Sequence, residues 1–313
     1  KGLREFDLKA VYQAGIPVHG NRQVEKPYGN YVKMRLADAI GREEDVKELR
    51  AKALEYRKYW HGQQVDAEGT VRGFITPGGG TYPQEKVNKL DAGFYEGNLW
   101  HYRLFCSYDM GGLAKLRGGR DKLASDLDYY FRQWHHMALN EPCLAYPFLF
   151  AYLGRPDLTQ KWSRMYTTEV VVSRYHNHGR FKEPVVRRVY MAQPAGFLPT
   201  MDDDTGAMSS QYVYQALGLY PAVMGEAYYV IGSPIFPEVT LHMKGETTFV
   251  IRAKDVSNKN IYIQSATLNG KKWTRPWLRH SRIRSGGVLE LKMGPEPSKW
   301  GSAPADLPPS LTN

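Results

Sequence analysis

The period of the hydrophobic pattern changes at about residue 225, and this change restricts the possible folds more than any other feature of the 313-residue chain. Before residue 225, apolar side chains recur at steps of three and four, the spacing of helices that bury one face. After it, short alternating or β-branched segments are separated by Gly, Pro and Asn, which predicts strands. We therefore expect a mainly α protein, with a helical region over residues 1–222 and a smaller β-rich region over residues 223–313.

The same pattern predicts the individual elements. Helices are expected over residues 3–14, 31–40, 46–60, 98–105, 111–117, 123–134, 143–152, 158–172 and 207–217. Strands are expected over residues 228–231, 239–243, 247–252, 260–265 and 288–293, with a hairpin signal at Asn269-Gly270. The Pro-rich tail, residues 304–309, is expected to fray.

Composition narrows the class of protein. A hydrophobic content of 42% is enough for a large core, and no apolar run is long enough to span a membrane. The net charge is +10, but the basic residues are spread along the chain, so we do not expect nucleic-acid binding. Cys106 and Cys143 match no metal or redox spacing, which leaves open both a disulfide and two buried thiols. The N-terminus shows no secretion signal and starts abruptly, as expected of a fragment or a processed chain.

An acidic loop just before the helix at 207–217 is the first candidate site. It holds three consecutive carboxylates, Asp202, Asp203 and Asp204, between Pro199 and Gly206. Such a cluster is typical of a catalytic or metal-binding site. It also suits a solvated helix start, where Asp is favoured by capping and by the helix dipole. Both interpretations stay open at this stage.

Glu96 is the second candidate, because it lies among Tyr95, Trp100 and Tyr102 at a predicted helix start. A carboxyl group that aromatic rings desolvate has a raised pKa and can act as a general acid near neutral pH. The alternative is an ordinary helix N-terminal carboxylate beside core aromatics.

Asn140-Glu141-Pro142 is the third candidate, in a connection between two predicted helices. Its side-chain oxygens are hard ligands that suit Ca²⁺, while a capping Asn followed by Pro in a first helical turn explains the same residues. If the three stretches meet at one end of a helical barrel, they supply the two carboxyl groups that glycoside hydrolysis needs. The nearby histidines have no zinc-site spacing, and we expect core or surface roles for them: His101, His135 and His136.

Motifs along nearly the whole chain together resemble one family. They are KGLREFD (1–7), EGNLWHY (96–102), Asp109 with GGL (111–113), GGR (118–120), NEP (140–142), DDDTGAMS (202–209), ALGLYP (216–221), YVIGSPIF (229–236) and IQSATLNG (263–270). Their ordered succession is similar to glycoside hydrolase family 92, the calcium-dependent exo-acting α-mannosidases found mainly in bacteria.

The resemblance implies part of an (α/α)6 barrel and an inverting mechanism. By position, Glu96 corresponds to the general acid, Asp204 to the general base and Asp202 to a carboxylate that supports the base. Asn140 and Glu141 fall where the family contacts Ca²⁺ and the sugar beyond the cleaved bond, and Trp100 is taken as a further substrate-binding residue. Inversion implies that acid and base lie about 6.5–9.5 Å apart.

The chain also departs from the family pattern. Leu139 precedes the Asn-Glu-Pro motif and Cys143-Leu144-Ala145 follows it, where the family has other residues, so the linkage that is cleaved stays open. An N-terminal β-sandwich and the opening barrel helices are expected before residue 1, as the missing partner of this chain. The implied location is the periplasm, the cell surface or the medium of a bacterium. A catalytically impaired relative that binds carbohydrate or is structural remains the alternative.

Overall fold

Helices fill most of the chain up to residue 217. The computed structural model describes residues 20–175, 181–194 and 196–312, so the helix predicted over residues 3–14 lies outside the described part. The α-helices are α1 (Arg22–Ala39), α2 (Glu43–Ala53), α3 (Leu99–Tyr102), α4 (Met110–Arg117), α5 (Arg120–Arg132), α6 (Pro156–Thr168), α7 (Ala207–Leu217) and α8 (His280–Arg284). Short 3₁₀ segments join them at Glu55–Tyr59, Pro77–Gly79, Gln84–Lys86, Ser107–Asp109, Glu141–Cys143, Tyr146–Leu153 and Asp204–Gly206, and another follows at Pro304–Asp306.

Most of the strands lie after residue 217, as the pattern predicts. They are β1 (Trp60–His61), β2 (Phe74–Ile75), β3 (Val170–Ser173), β4 (Val185–Arg188), β5 (Leu219–Tyr220), β6 (Tyr228–Ile231), β7 (Glu238–His242), β8 (Thr248–Lys254), β9 (Tyr262–Leu268), β10 (Lys271–Lys272), β11 (Trp277–Arg279) and β12 (Gly287–Gly294). A five-stranded sheet has the order β10-β9-β12-β8-β7, and a three-stranded sheet has the order β11-β6-β5. Strands β12 and β8 are parallel, whereas their neighbours pair antiparallel.

The apolar interior forms two clusters that meet at the three-stranded sheet. One cluster fills the helical part and takes in Tyr228 and Val230 of β6. The other lies under the five-stranded sheet and includes Ile231, the next residue of β6, together with Phe249 and Ile251 of β8. Because successive side chains of a strand point to opposite faces, β6 can contribute to both clusters. The helical and β-rich parts therefore share a strand, and the domain boundary at residues 222 and 223 stays a prediction.

Several helices differ in extent from the sequence prediction. Helix α1 starts at Arg22 and accommodates Pro27 close to its N-terminus, although a proline removes one helical hydrogen bond. The helix predicted over 143–152 is instead the buried 3₁₀ segment Tyr146–Leu153. The helix predicted over 158–172 ends at Thr168, and β3 begins two residues later. Within the described part of the chain, no helix has the length and apolar character needed to cross a membrane.

Hydrogen bonds hold the C-terminal residues against the helical part. The expectation that residues 304–309 fray is therefore wrong. We call residues 304–312 the C-terminal strap. The buried carboxylate of Asp109 accepts hydrogen bonds from the backbone N–H (3.0 Å) and the hydroxyl (2.6 Å) of Thr312. Leu311 N–H donates to Tyr108 C=O at 2.8 Å. Backbone and side-chain partners together hold the strap against the start of α4.

Candidate active site

Glu96 lies two residues before the cap of helix α3. The cap is Asn98, whose side-chain oxygen accepts from the N–H groups of Trp100 (3.0 Å) and His101 (3.3 Å). Glu96 itself has a left-handed backbone with φ +54°, and its N–H donates to Asp91 Oδ1 at 2.6 Å. The side chain of Asn98 thus accepts the hydrogen bonds of the free N–H groups at the helix start. The alternative role of Glu96 as a helix N-terminal carboxylate is therefore not supported by this geometry.

The Glu96 carboxylate contacts two polar side chains. Asn140 Nδ2 lies 3.5 Å from Glu96 Oε2, a long hydrogen bond that joins the second and third candidate stretches. A hydrogen bond to Glu96 also raises the pKa of the Tyr95 phenol, as expected when an O–H donates to a carboxylate. Glu96 is half-buried, so its carboxyl group is held by the protein and still reaches solvent.

Asn140 and Glu141 sit at the start of a short 3₁₀ turn. Asn140 is buried, and its Oδ1 accepts from Glu141 N–H at 2.8 Å, so the capping interpretation holds for Asn140. Glu141 Oε1 is buried and has no hydrogen-bond partner among the described residues. Burial, and after it the negative charges of Asp204, Asp202 and Glu96, raises the pKa of Glu141 to about 6. Four carboxyl groups therefore interact around this turn.

The acidic loop lies next to the same turn, because Asp202 N–H donates to Leu139 C=O at 3.0 Å. Its three aspartates have different surroundings. Asp203 caps α7: its Oδ1 accepts from the N–H groups of Met208 (2.9 Å) and Ser209 (3.0 Å). A further hydrogen bond from the Ser209 hydroxyl is the main reason that the pKa of Asp203 is lowered.

The other two aspartates interact with each other. The neighbouring carboxyl group of Asp202 raises the pKa of Asp204, first through a hydrogen bond between the two side chains and then through the repulsion of two like charges. Asp204 is exposed and Asp202 is half-buried. The two interpretations of the acidic loop thus apply to different residues, with capping at Asp203 and a carboxyl pair at Asp202 and Asp204.

A cavity of about 470 Å³ lies between α1, the Glu96 loop, the Asn140–Glu141 turn and the start of α7. Carboxylates and aromatic rings line it together: Glu25, Tyr28, Glu96, Tyr102, Asn140, Glu141, Tyr146, Ala207 and Tyr220. Glu25 was not predicted from the sequence. Its only signal is its spacing of three residues from Tyr28 on α1, which places both side chains on one helix face. Hydrogen-bonding oxygens beside aromatic surfaces suit a ligand with hydroxyl groups and C–H faces.

Trp100 is in the core rather than on this cavity wall. Its side chain is 1% exposed, its Nε1 donates to Asn88 Oδ1 at 2.9 Å, and its ring lies 4.8 Å from Phe74 and 4.7 Å from His135. The position of Trp100 does not support the predicted substrate contact. The three histidines, His101, His135 and His136, are buried as well, and burial lowers the pKa of His135 and of His136 to about 3.

The structure offers one clear oxygen for a cation. Within the described residues, no group of three or more His, Cys, Asp or Glu side chains is arranged to hold a metal ion. Glu141 Oε1 is nevertheless a buried oxygen without a partner, close to other carboxylates. Hard carboxylate oxygens are the donors that Ca²⁺ prefers. Asn140 Oδ1 already accepts from Glu141 N–H and keeps one lone pair. Glu141 therefore fits a calcium ligand, although these residues alone do not complete a coordination shell.

Comparison with known proteins decides the family. A model of the glycosyl hydrolase family 92 catalytic domain matches residues 13–295. The chain belongs to glycosyl hydrolase family 92. The solved structure of the family 92 glycosyl hydrolase CcMan5 is similar to 94% of this chain, with a TM-score of 0.85 and 32% sequence identity. An inverting mannosidase of family 92 from Bacteroides thetaiotaomicron is similar over 93%, with a TM-score of 0.75 and 25% identity. The predicted family is confirmed.

The chain spans less than half of these family 92 relatives. It covers 41% of CcMan5 and 40% of the Bacteroides mannosidase. A curated relative, an uncharacterised secreted glycosidase from the fungus Arthroderma benhamiae, is 36% identical over 220 residues, which is 26% of that protein. This fungal relative does not support a bacterial origin, which stays a prediction.

Proposed function

We propose that this chain carries the acid–base half of a glycoside hydrolase that removes terminal α-linked mannose with inversion. One observation carries the proposal: the carboxyl groups of Glu96, Glu141, Asp202 and Asp204 come together beside a single cavity in a family 92 chain. Inverting hydrolysis requires a carboxylic acid and a separate carboxylate on either side of the scissile bond. Glu96 and Glu141 line the cavity, and the acidic loop with Asp202 and Asp204 adjoins the Asn140–Glu141 turn, which supports this assignment.

Each carboxyl group has a proposed role. Glu96 donates its proton to the leaving glycosidic oxygen, and the Asn140 amide orients its carboxyl group. Asp204 removes a proton from the attacking water, which adds to the anomeric carbon from the opposite face. Asp202 supports Asp204, because its neighbouring carboxyl group raises the pKa of Asp204 and so makes Asp204 a stronger base than an isolated aspartate.

Calcium is proposed to bind at Glu141, with the side-chain oxygen Oδ1 of Asn140 as a second donor. A bound Ca²⁺ would supply Lewis-acid contacts to sugar hydroxyl groups and favour a distorted ring. Before any cation binds, Glu141 bears an unpartnered buried oxygen in a cluster of negative charge. A divalent cation bound at Glu141 would give this oxygen a partner and would offset the repulsion among the negative charges.

The rest of the enzyme is proposed to complete the barrel and the sugar site. Helix α1 and the residue that follows it form an exposed apolar stripe, Val32, Leu36 and Ile40, and the last two side chains are 63% and 64% exposed. Exposed apolar surface of this kind marks an interaction site. We propose that the remaining helices of an (α/α)6 barrel, preceded by a β-sandwich, pack on this face. Secretion is proposed by analogy with the fungal relative.

Hydrolysis of an aryl α-mannoside tests the function. We expect the protein that includes this chain and its N-terminal portion to release mannose, with β-mannose as the first product seen by proton NMR. Glu96→Gln is expected to reduce kcat by about 10³-fold or more, since general acid catalysis contributes roughly 10²–10⁴-fold. Exposed Glu44→Gln on α2 is the matched control and should leave kcat unchanged. Full activity in Glu96→Gln, or α-mannose as first product, would contradict the proposal.

A carbohydrate-binding relative without activity is the second candidate. It is favoured by the absence of a three-ligand metal cluster among residues 20–175, 181–194 and 196–312. Binding of mannosides by calorimetry without any release of mannose, with and without added Ca²⁺, would support it over the hydrolase.

A further inference from the structure

Glu96 occupies a backbone conformation that its side chain disfavours. Its φ of +54° lies in the left-handed region, where the Cβ of a residue other than glycine meets a carbonyl oxygen. Such a conformation persists only when the surroundings enforce it, and it is often found at active sites. Flanking glycines do not explain it, since the strained residue is Glu96 itself. One enforcing contact is local, the hydrogen bond from Glu96 N–H to Asp91 Oδ1 at 2.6 Å, and further contacts come from elsewhere in the fold.

Those contacts come from Asn21, just before helix α1. Its carboxamide binds both backbone groups of the residue before Glu96: Tyr95 N–H donates to Asn21 Oδ1 at 2.7 Å, and Asn21 Nδ2 donates to Tyr95 C=O at 3.2 Å. One side chain thus pairs with the Tyr95 backbone as a neighbouring strand would. The Tyr95 N–H also fixes which Asn21 atom is oxygen, because only an oxygen can accept there.

Tyr102 completes the same network from helix α3. Asn21 Nδ2 donates to the Tyr102 hydroxyl at 2.7 Å, and that hydroxyl donates to Tyr95 C=O at 2.9 Å. The Tyr102 ring stacks on Phe94 with centroids 4.8 Å apart. Asn21, Tyr95 and Tyr102 therefore close a ring of hydrogen bonds, and both Tyr102 and Glu96 line the cavity.

We propose that Asn21 is a positioning residue that holds the Glu96 carboxyl group in the left-handed geometry needed for proton donation. The proposal rests on the proposed function for the role of Glu96 as the acid. Asn21 reaches Glu96 through the backbone of Tyr95 and the hydroxyl of Tyr102, and its Nδ2 also donates to Glu25 Oε1 at 3.3 Å.

Two measurements on Asn21→Ala test this role. The first is amide hydrogen exchange over residues 94–97 of this chain, where we expect exchange at Tyr95 and Glu96 to be at least about tenfold faster, with helix α5 unchanged. The second is mannoside hydrolysis by the enzyme with its N-terminal portion. We expect kcat to fall about 10–100-fold, as for a small misplacement of a catalytic group, with KM within about twofold. The alkaline limb of the pH–kcat profile, which reports the acid, should also move.

Asn30→Ala is a matched control. Asn30 lies in helix α1, which Asn21 directly precedes, and is as buried as Asn21, 8% against 9% exposed. No hydrogen bond links its side chain to the Glu96 loop in the described structure. It should change neither the exchange nor the pH profile. Asn21→Asp keeps the acceptor for Tyr95 N–H and loses both donors, so it should fall between wild type and Asn21→Ala.

Tyr102→Phe provides a second test if Asn21→Ala does not fold. It keeps the stacked ring and removes one bond to Tyr95 C=O, so it should show the same changes with a smaller amplitude. Equal effects of Asn21→Ala and Asn30→Ala, or unchanged exchange at Tyr95 in Asn21→Ala and Tyr102→Phe, would overturn the proposal. If the wild type releases no mannose, the proposed function fails, while hydrogen exchange still decides whether Asn21 holds the loop.

Discussion

At the residue scale, Glu141 couples the stability of the calcium-free protein to pH. Its pKa is about 6 in the fold, against 4.5 for an ordinary Glu, because of burial first and then the charges of Asp204, Asp202 and Glu96. The folded state therefore binds this proton more tightly than the unfolded state. Ionisation of Glu141 therefore lowers the free energy of unfolding. This loss of stability is absent below about pH 4.5, grows as the pH rises towards about 6, and is complete above that.

The expected consequence is a stabilising substitution. In EDTA, Glu141→Gln should be about 1 kcal/mol more stable than the wild type at pH 8 and equal at pH 4, after a discount for the solvent that reaches this half-buried group. Urea unfolding at the two pH values measures this difference. Added Ca²⁺ should raise the urea midpoint of the wild type and not that of the variant. A variant that is less stable than the wild type at pH 8 would refute the account.

The sequence singles out Glu96, Asn140, Glu141 and the acidic loop, because polar residues beside Gly and Pro are easy to recognise in a sequence. The structure brings these stretches close together, and their roles stay predictions. The sequence could not distinguish the capping Asp203 from Asp202 and Asp204. That distinction depends on which carboxylate faces the free N–H groups of Met208 and Ser209. The sequence predicted a substrate contact for Trp100, whereas the short helix α3 directs its ring into the core. Asn21 lies 74 residues before its partner Tyr95, so no local sequence pattern indicates this hydrogen bond.

At the element scale, the exposed stripe on α1 makes this chain prone to self-association when it is expressed alone. Leu36, in the last turn of α1, and Ile40, directly after the helix, are spaced by four residues and both are exposed to solvent. We expect concentration-dependent association of the wild-type chain in sedimentation velocity, and a monomer for Leu36→Lys with Ile40→Glu. Because both positions are exposed, the free energy of unfolding should change by less than about 0.5 kcal/mol.

Lys33→Glu is the control for the stripe, since it changes charge on the same helix without removing apolar surface. It should associate like the wild type. A wild-type chain that stays monomeric at high concentration would show that the stripe needs no covering partner.

The elements themselves were predictable where one periodicity dominates. Helix α5 and strand β8 match their patterns closely, because each buries one face: Leu123, Leu127 and Phe131 in α5, Phe249 and Ile251 in β8. Segment Tyr146–Leu153 is buried all round, so its pattern could not distinguish a 3₁₀ helix from an α-helix. Strands β1 and β2 were missed because two residues are too short to show alternation, and β3 was missed because its first residues continue the pattern of the helix predicted over 158–172.

At the scale of the whole molecule, the C-terminal strap joins the end of the chain to the helical core. Thr312→Val removes one hydrogen bond to the buried Asp109 carboxylate and should cost about 1–2 kcal/mol in urea unfolding. Thr240→Val, on the exposed face of β7, is the control and should be neutral or slightly stabilising. Equal stability of the two variants would mean that the strap contributes little.

The same strap sets the order of events during synthesis. Asp109 and Thr312 are separated by 203 residues. At roughly 5–20 residues per second, Asp109 is translated on the order of ten seconds or more before its partner exists. During that interval Tyr56 and Arg57 already satisfy one oxygen of the carboxylate, while the other faces water. The second oxygen of the buried Asp109 carboxylate therefore gains its protein partners only when translation reaches the strap.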